Sequence, residues 1–144
     1  MQLDLQDSRL SILEKFDDLL EVHVTSGDSF LGGEDFTAAM LGAFCQQLGF
    51  ERQSLTREER AHLYRTCEEA KKALADQHEV QMTVSLRGQQ HNAVFSRDTF
   101  VEACSTLLER IRLPIERAVV DAGMGRDDFD EVILVGGATR MPMV

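Results

Sequence analysis

Basic residues are scarce in this chain of 144 residues, in which 15 lysines and arginines stand against 25 aspartates and glutamates, a formal charge of −10. Binding to nucleic acid or to an anionic membrane surface depends on clustered cations. The charge balance therefore argues against both kinds of partner and mainly favours solubility. Apolar residues make up 43% of the chain, which is enough for a folded core and not typical of a disordered protein.

Cysteines are also few, and their number is odd. Cys45, Cys67 and Cys104 are widely spaced, and each falls where a helix would face inward. This pattern predicts reduced thiols in a core rather than a disulfide or a metal site. The histidines have no ligand spacing to these cysteines, so we expect no metal site from His23, His62, His78 and His91.

Long apolar runs are missing as well. No run approaches the ~20 residues that a membrane-spanning helix needs. The acidic N-terminal segment does not look like a signal peptide. These absences lead us to expect a cytoplasmic protein.

Alternating apolar and polar residues predict two hairpins. The first has strands at 10–16 and 20–26 and turns at Asp17 and Asp18. The second has strands at 80–86 and 91–95. A last strand is expected at 131–135.

Helical periodicity predicts helices between these strands. One starts near Glu34, and one starts at Ser96, bends at Pro114 and continues to Ala122. Between them, Thr56-Arg-Glu-Glu59 has the form of a capping box, which starts a helix that we expect to end near residue 75. The apolar stripe of this middle helix, spaced four, three and four residues apart, is Leu63, Cys67, Ala70 and Leu74.

The end of the chain, Glu131-Val-Ile-Leu-Val-Gly-Gly-Ala-Thr-Arg-Met-Pro142, reads as a buried strand that runs into two glycines and a helix start. Glycines let a ligand approach the backbone, and the N–H groups of a helix N-terminus favour anions. This arrangement suits a phosphorylated ligand. Taken alone, however, it favours a tight structural turn about as strongly as a ligand loop.

Three segments together resemble the ATPase domain of the seventy-kilodalton heat-shock chaperones of the DnaK type. They are the C-terminal segment Ile133-Leu-Val-Gly-Gly-Ala-Thr-Arg-Met-Pro142, the segment Thr25-Ser-Gly-Asp-Ser-Phe-Leu-Gly-Gly-Glu-Asp-Phe36 and the segment Cys67-Glu-Glu-Ala-Lys-Lys-Ala-Leu74. They occur in the order of the family and at about its spacing. The resemblance runs from about Leu10 to Val144. The sequences of these segments look closest to the bacterial HscC-like branch.

The resemblance implies a mixed α/β fold, part of lobe II of the actin-like ATPase fold. In that fold a ribonuclease-H-like base of sheet and helices is interrupted by an inserted helix-and-hairpin module that closes over the nucleotide. Residues 10–32 and 115–144 are then the base, which is incomplete, and residues 33–113 are the inserted module. Apolar surface left uncovered on the base would favour self-association of the chain.

The chain departs from the family before its first strand. Where the family has a glycine-rich phosphate loop, this chain has Asp4-Leu-Gln-Asp-Ser-Arg9 without a glycine. Phosphoryl transfer depends on groups that position and stabilise the phosphates. We therefore expect no ATP hydrolysis by this chain alone, assign no catalytic residue and expect no magnesium ligand in it.

A second stripe on the middle helix is formed by Glu68, Lys71, Lys72 and Ala75, which a regular helix places on one face beside the apolar stripe. Periodicity alone favours an ordinary ion pair of Glu68 with Lys72 on a solvated face, worth only ~0.3–0.5 kcal/mol. The resemblance implies a different role. In the family, the matching glutamate and first lysine hydrogen-bond the ribose, and the matching second basic residue lies on the adenine.

The resemblance assigns the base and phosphate contacts in the same way. Arg140 is expected to stack on adenine with Lys72 on the opposite side, and the loop that lines the path to the α-phosphate is Gly136, Gly137 and Ala138. Two differences from the family pattern are expected to weaken binding of the adenine base. Lysine cannot stack as a planar guanidinium does, and Ala75 replaces a family serine that donates to the base. Adenine should therefore be held more loosely, or less selectively over guanine.

Two classes of function follow from the resemblance. In the first, the chain is an adenine-nucleotide-binding half-domain of a chaperone ATPase that takes ATP or ADP, with Mg in the full-length protein. Its expected partners are then lobe I, the substrate-binding domain, a J-domain co-chaperone and a nucleotide exchange factor. In the second, the chain is an interaction module that keeps the exchange-factor surface and binds little nucleotide.

Overall fold

The computed structural model describes residues 2–4, 9–28 and 31–141. Within these residues the chain is mixed α and β, with six strands and four α-helices. It divides into two compact units. Of the described residues, unit 1 comprises 2–4, 9–28, 31–33 and 106–139, and unit 2 comprises 34–105 and 140–141.

Unit 1 contains a four-stranded sheet in the order β3-β2-β1-β6. β1 pairs antiparallel with β2 and parallel with β6, so the sheet is mixed. Sequence patterning missed β1, which is only three residues long. The strands are β1 Gln2–Asp4, β2 Arg9–Phe16, β3 Leu19–Gly27 and β6 Ile133–Val135.

The hairpin of β2 and β3 confirms the first predicted hairpin, with its turn at Asp17 and Asp18. Asp17 has φ 49°, in the left-handed region that aspartate enters more readily than most residues. The register shifts between Ile12 and Leu13. On the core side of the sheet, Leu10 and Ile12 are fully buried and cluster with Ala118, because apolar residues on that face have a helix to pack against.

The helix predicted from Ser96 is present but is interrupted. It forms α3 Arg97–Ala103, with Ser96 as its N-cap, and α4 Ser105–Asp121. Pro114 lies inside α4, so the helix continues past it as expected, and the bend at Pro114 stays a prediction. The break lies at Cys104, whose backbone (φ −97°, ψ 1°) leaves the α-helical region and whose N–H bonds the carbonyls of both Phe100 and Val101. Gly123, with φ 66°, follows the end of α4 as expected.

Unit 2 packs helices against the second predicted hairpin. Its elements besides α3 are α1 Gly33–Gln47, α2 Arg57–Ala73, β4 Glu79–Leu86 and β5 Gln89–Ser96. The predicted stripe of α2 is buried throughout, and every second residue of β4 is buried from Val80 to Leu86. The rings of Phe44 and Phe95 stack with centroids 6.5 Å apart in this core.

The capping box of α2 is formed as predicted. The hydroxyl of Thr56 accepts from the N–H of Glu59 at 3.2 Å, and Glu59 Oε2 accepts from the N–H of Thr56 at 2.9 Å. The other carboxylate oxygen of Glu59 accepts from the N–H of Arg87, in the turn between β4 and β5, at 2.6 Å. These hydrogen bonds lower the pKa of Glu59, so one ionised carboxylate ties the start of α2 to the hairpin.

All three cysteines are free and buried, which confirms the prediction of core thiols. Burial raises the pKa of Cys67 and of Cys104 to about 12, and it also raises the pKa of Cys45. Residues 2–4, 9–28 and 31–141 contain no cluster of acidic, histidine and cysteine side chains suited to a metal ion. Among the same residues, no helix is long and apolar enough to cross a bilayer.

We expect Thr56→Ala to lower the free energy of unfolding by about 1 kcal/mol, because it leaves an N–H at the start of α2 without its side-chain partner. Urea unfolding followed by circular dichroism measures this loss. Thr66→Ala is the control, since Thr66 lies within the same helix and only bonds the carbonyl of His62. Equal losses in both variants would contradict a capping role for Thr56.

We expect the folded chain to resist alkylation at its cysteines, because buried thiols with raised pKa values expose little thiolate. Iodoacetamide labelling at pH 8, read by mass spectrometry, should modify the folded chain slowly and the urea-unfolded chain rapidly at all three positions. Rapid labelling of Cys67 or Cys104 in the folded chain would contradict the described core.

Candidate functional site

Three charged side chains of the second stripe meet on α2. Glu68 Oε2 lies 2.7 Å from the ammonium of Lys71, and Glu68 Oε1 lies 3.3 Å from that of Lys72. The ion pair of Glu68 with Lys72 is the one that periodicity predicts. The Lys72 side chain is 72% exposed, so this contact contributes little to stability.

Lys71 is buried, although helical periodicity predicted that it lies beside the apolar stripe rather than on it. It lies four residues after Cys67 and three before Leu74, so the helix turns it toward the same core as those residues. A buried ammonium needs partners. Its Nζ donates to the hydroxyl of Thr37 on α1 at 2.9 Å, in addition to its contact with Glu68.

The Glu68 carboxylate is held from the inner side by both α1 and α2. The Thr37 hydroxyl donates to Glu68 Oε2 at 2.5 Å. Partial burial raises the pKa of this carboxyl, but hydrogen bonds from Lys71 and Thr37 and the charge of Lys71 outweigh it, so that the pKa is lowered. Glu68 is therefore ionised at neutral pH, with its Oε1 on the side of the exposed Lys72.

Arg97 binds the turn that follows α2. Ala75 lies in this turn, because α2 ends at Ala73 rather than near residue 75 as expected. Its guanidinium donates to the carbonyl oxygens of Leu74 and Gln77, each at 2.9 Å, and to that of Ala75 at 2.8 Å. The last carbonyls of a helix have no partner within the helix, so a planar group with several donors stabilises its end. Sequence reasoning missed Arg97, because the carbonyls that it binds lie twenty or more positions away in the chain.

The strand before the two glycines is exposed, which corrects the expectation of a buried strand. Side chains of β6 from Ile133 to Val135 are between 37% and 46% exposed. β6 is an edge strand, with β1 as its neighbour in the sheet. Its apolar residues therefore lack a second neighbouring strand in the part of the chain that the structure describes.

Gly136 forms the turn that follows β6. Its φ of 100° lies where a residue with a Cβ is strained. The N–H and the hydroxyl of Thr139 both donate to the Gly136 carbonyl, at 3.2 and 2.7 Å. A short 3₁₀ helix, Gly137–Arg140, follows in place of an α-helix start. Pro142 and the helix expected beyond it lie outside the described residues.

The remaining residues of this turn differ in their surroundings. A Cβ built on Gly137 would meet no atom within 4 Å, so the space above this backbone is open. Ala138 packs against the core cluster of Leu10, Ile12 and Ala118. The Arg140 side chain is exposed.

The predicted site residues thus form two separate groups. The structure brings Glu68, Lys71 and Lys72 together within unit 2, and Gly136, Gly137 and Ala138 follow one another at the end of β6 in unit 1. Each group has its own chemistry. An ionised carboxylate beside an exposed ammonium matches paired hydroxyls, and open backbone at Gly137 admits an anionic group.

The sequence comparisons match this chain to one family. The family model described as Hsp70 protein covers residues 5–144. That match spans nearly the whole chain. The chain belongs to the Hsp70 family.

The Hsp70 relatives are proteins named as chaperones or heat-shock-related proteins. The chain is 41% identical over 145 residues to chaperone protein DnaK of Trichormus variabilis, covering 94% of this chain and 21% of that protein. It is 38% identical over 144 residues to chaperone protein dnaK of Cyanophora paradoxa, covering 94% and 23%. It is also 38% identical over 149 residues to the chloroplastic stromal 70 kDa heat shock-related protein of Pisum sativum, covering 94% and 20%.

This Hsp70 chain therefore spans about a fifth of the length of the relatives that it matches. The family likeness is shown over almost all of its residues. Its closeness to the HscC-like branch stays a prediction.

We expect Gly136→Ala to lower the free energy of unfolding by about 1–3 kcal/mol, because a Cβ is strained at φ 100°. Gly137→Ala is the matched control. It should change stability by less than about 1 kcal/mol, since its Cβ meets no neighbour. Urea unfolding of both variants tests the turn, and equal effects would contradict its described conformation.

Proposed function

We propose that this chain is an adenine-nucleotide-binding half-domain of a heat-shock-type chaperone ATPase. The observation that carries the proposal is the arrangement on α2, in a chain of the Hsp70 family. An ionised Glu68 there presents one oxygen beside an exposed lysine, on the segment that resembles the family's nucleotide-binding helix.

The proposed contacts follow the family, residue by residue. Glu68 and Lys71 are the ribose residues, with the buried Lys71 acting through the Glu68 oxygen that it binds. Arg140 and Lys72 lie on opposite faces of the adenine. Gly136, Gly137 and Ala138 line the path to the α-phosphate. The exposure of Lys72 and Arg140 and the open backbone at Gly137 are consistent with these roles.

Base selectivity is proposed to be weak. Lys72 carries a compact charge on a flexible stem and cannot lie flat on a ring as a guanidinium does. Ala75 offers no side-chain donor to the base. We therefore expect adenine to be bound more weakly, or with less selectivity over guanine, than in typical members of the family.

The two units are proposed to be parts of lobe II of the actin-like ATPase fold. Residues 10–32 and 115–144 form the base, and residues 33–113 form the inserted module. In the whole protein, closure of the lobes on ATP with Mg then regulates the binding of protein clients. The proposed partners are lobe I, the substrate-binding domain, a J-domain co-chaperone and an exchange factor, and the proposed location is the cytoplasm.

An interaction module is the second candidate function. It is favoured by the three side chains that already engage Glu68, since Thr37, Lys71 and Lys72 compete with a ribose for the same carboxylate. A chain of this kind would keep the exchange-factor surface and bind little nucleotide. Self-association of the chain also stays a prediction, which light scattering at high concentration tests.

Calorimetric titration of ADP, adenosine and GDP separates the two candidates. The proposed contacts are to base, ribose and α-phosphate, so adenosine and ADP should bind with similar and weak affinity. Arg140→Ala should weaken both by about fivefold, in line with the loss of a stacked cation worth about 1 kcal/mol. Arg57→Ala removes another exposed arginine and should change neither affinity. Absence of binding at millimolar ligand would instead favour the interaction module.

A further inference from the structure

Thr37 is a buried polar residue outside the set that the family resemblance assigns. It lies in α1, is fully inaccessible to solvent, and faces two charged residues of α2. Its hydroxyl accepts from Lys71 at 2.9 Å and donates to Glu68 at 2.5 Å. Burying a hydroxyl costs free energy unless its hydrogen bonds are made, and here both kinds are made.

Besides their direct contact at 2.7 Å, the two charged partners both bond the same hydroxyl, which suits the chemistry of each. An ionised carboxylate only accepts hydrogen bonds, and an ammonium only donates them. A hydroxyl can do both at once, so it links Lys71 to Glu68 while leaving each with its charge. Valine has nearly the same shape but can do neither.

The result is a carboxylate with two distinct sides. Oε2 of Glu68 is held by Thr37 and Lys71, and Oε1 lies beside the exposed Lys72. The Glu68 side chain is 31% exposed, so a ligand can reach part of it from the side of Oε1. A carboxylate held by its inner oxygen loses little freedom when a ligand hydroxyl binds its outer oxygen.

We propose that Thr37 is a positioning residue that orients Glu68 toward the ribose hydroxyls of the nucleotide. Lys71 acts with it from the buried side, and Lys72 is the lysine that accompanies Glu68 on the open side. This inference rests on the proposed function, because it deepens the role of Glu68 in that site.

Titration of adenosine and of 2′,3′-dideoxyadenosine into the parent, Thr37→Val and Thr37→Ser tests the role of Thr37. The parent should bind adenosine more tightly than the dideoxy compound. Thr37→Val should weaken adenosine binding about fivefold, as expected for one hydrogen bond of about 1 kcal/mol, and leave the dideoxy compound unchanged. Thr37→Ser keeps the hydroxyl and should restore the difference between the two ligands.

Thr83→Val is the matched control. Thr83 belongs to the same unit, and its hydroxyl donates to Asn92 on the exposed side of the hairpin. Its replacement should leave the affinity for both ligands unchanged. A general loss of stability in unit 2 would weaken both ligands alike, whereas loss of positioning weakens adenosine alone.

A second measurement keeps the proposal testable if Thr37→Val does not fold. Carbon NMR of the Glu68 carboxyl in the parent should give a pKa below the ordinary value for glutamate. The pKa of Glu68 should be higher in the Thr37→Ala variant than in the Thr37→Ser variant. Equal pKa values in these two variants would overturn the positioning role.

The outcomes distinguish this inference from the proposed function. A parent that binds neither ligand overturns the proposed function, and the role of Thr37 toward a ribose fails with it. A parent that prefers adenosine, with a Thr37→Val variant that keeps the same preference, overturns the role of Thr37 alone.

Discussion

A buried ammonium is the constraint on which the candidate site depends. Lys71 is turned into the core of unit 2 by the same helical periodicity that buries Cys67 and Leu74. An isolated charge there would be very costly, so its bonds to Thr37 and Glu68 are required for the fold. They join α1 to α2 and hold Glu68 with one oxygen inward. The position of the Glu68 carboxylate therefore follows from the need of the buried Lys71 ammonium for partners.

The helix that carries these residues is held at both of its ends. At its start, the Thr56 and Glu59 capping box satisfies backbone groups and reaches the turn of the hairpin. At its end, Arg97 binds three carbonyls, including that of Ala75. A helix fixed in this way keeps its exposed face in a constant position. A binding surface needs side chains held in fixed positions, and a helix fixed at both ends can provide them.

Local features of this chain could be predicted from its sequence, whereas distant ones could not. The capping box, the buried stripe of α2 and both hairpins depend on residues within a few positions of each other, and all were predicted. The hydroxyl of Thr37 and the guanidinium of Arg97 act on residues twenty or more positions away, which periodicity does not detect. The break at Cys104 was not predicted, because the residues around it keep a helical pattern and include neither proline nor glycine. The strand β6 was expected to be buried from its composition, but burial depends on its neighbours in the sheet.

Amide NMR during titration with adenosine tests most directly whether the face of α2 that carries Glu68 binds a nucleoside. We expect the amides from Glu68 to Ala75 to shift together and to yield a single dissociation constant. Absence of shifts in these amides at millimolar adenosine would contradict the proposed role of Glu68.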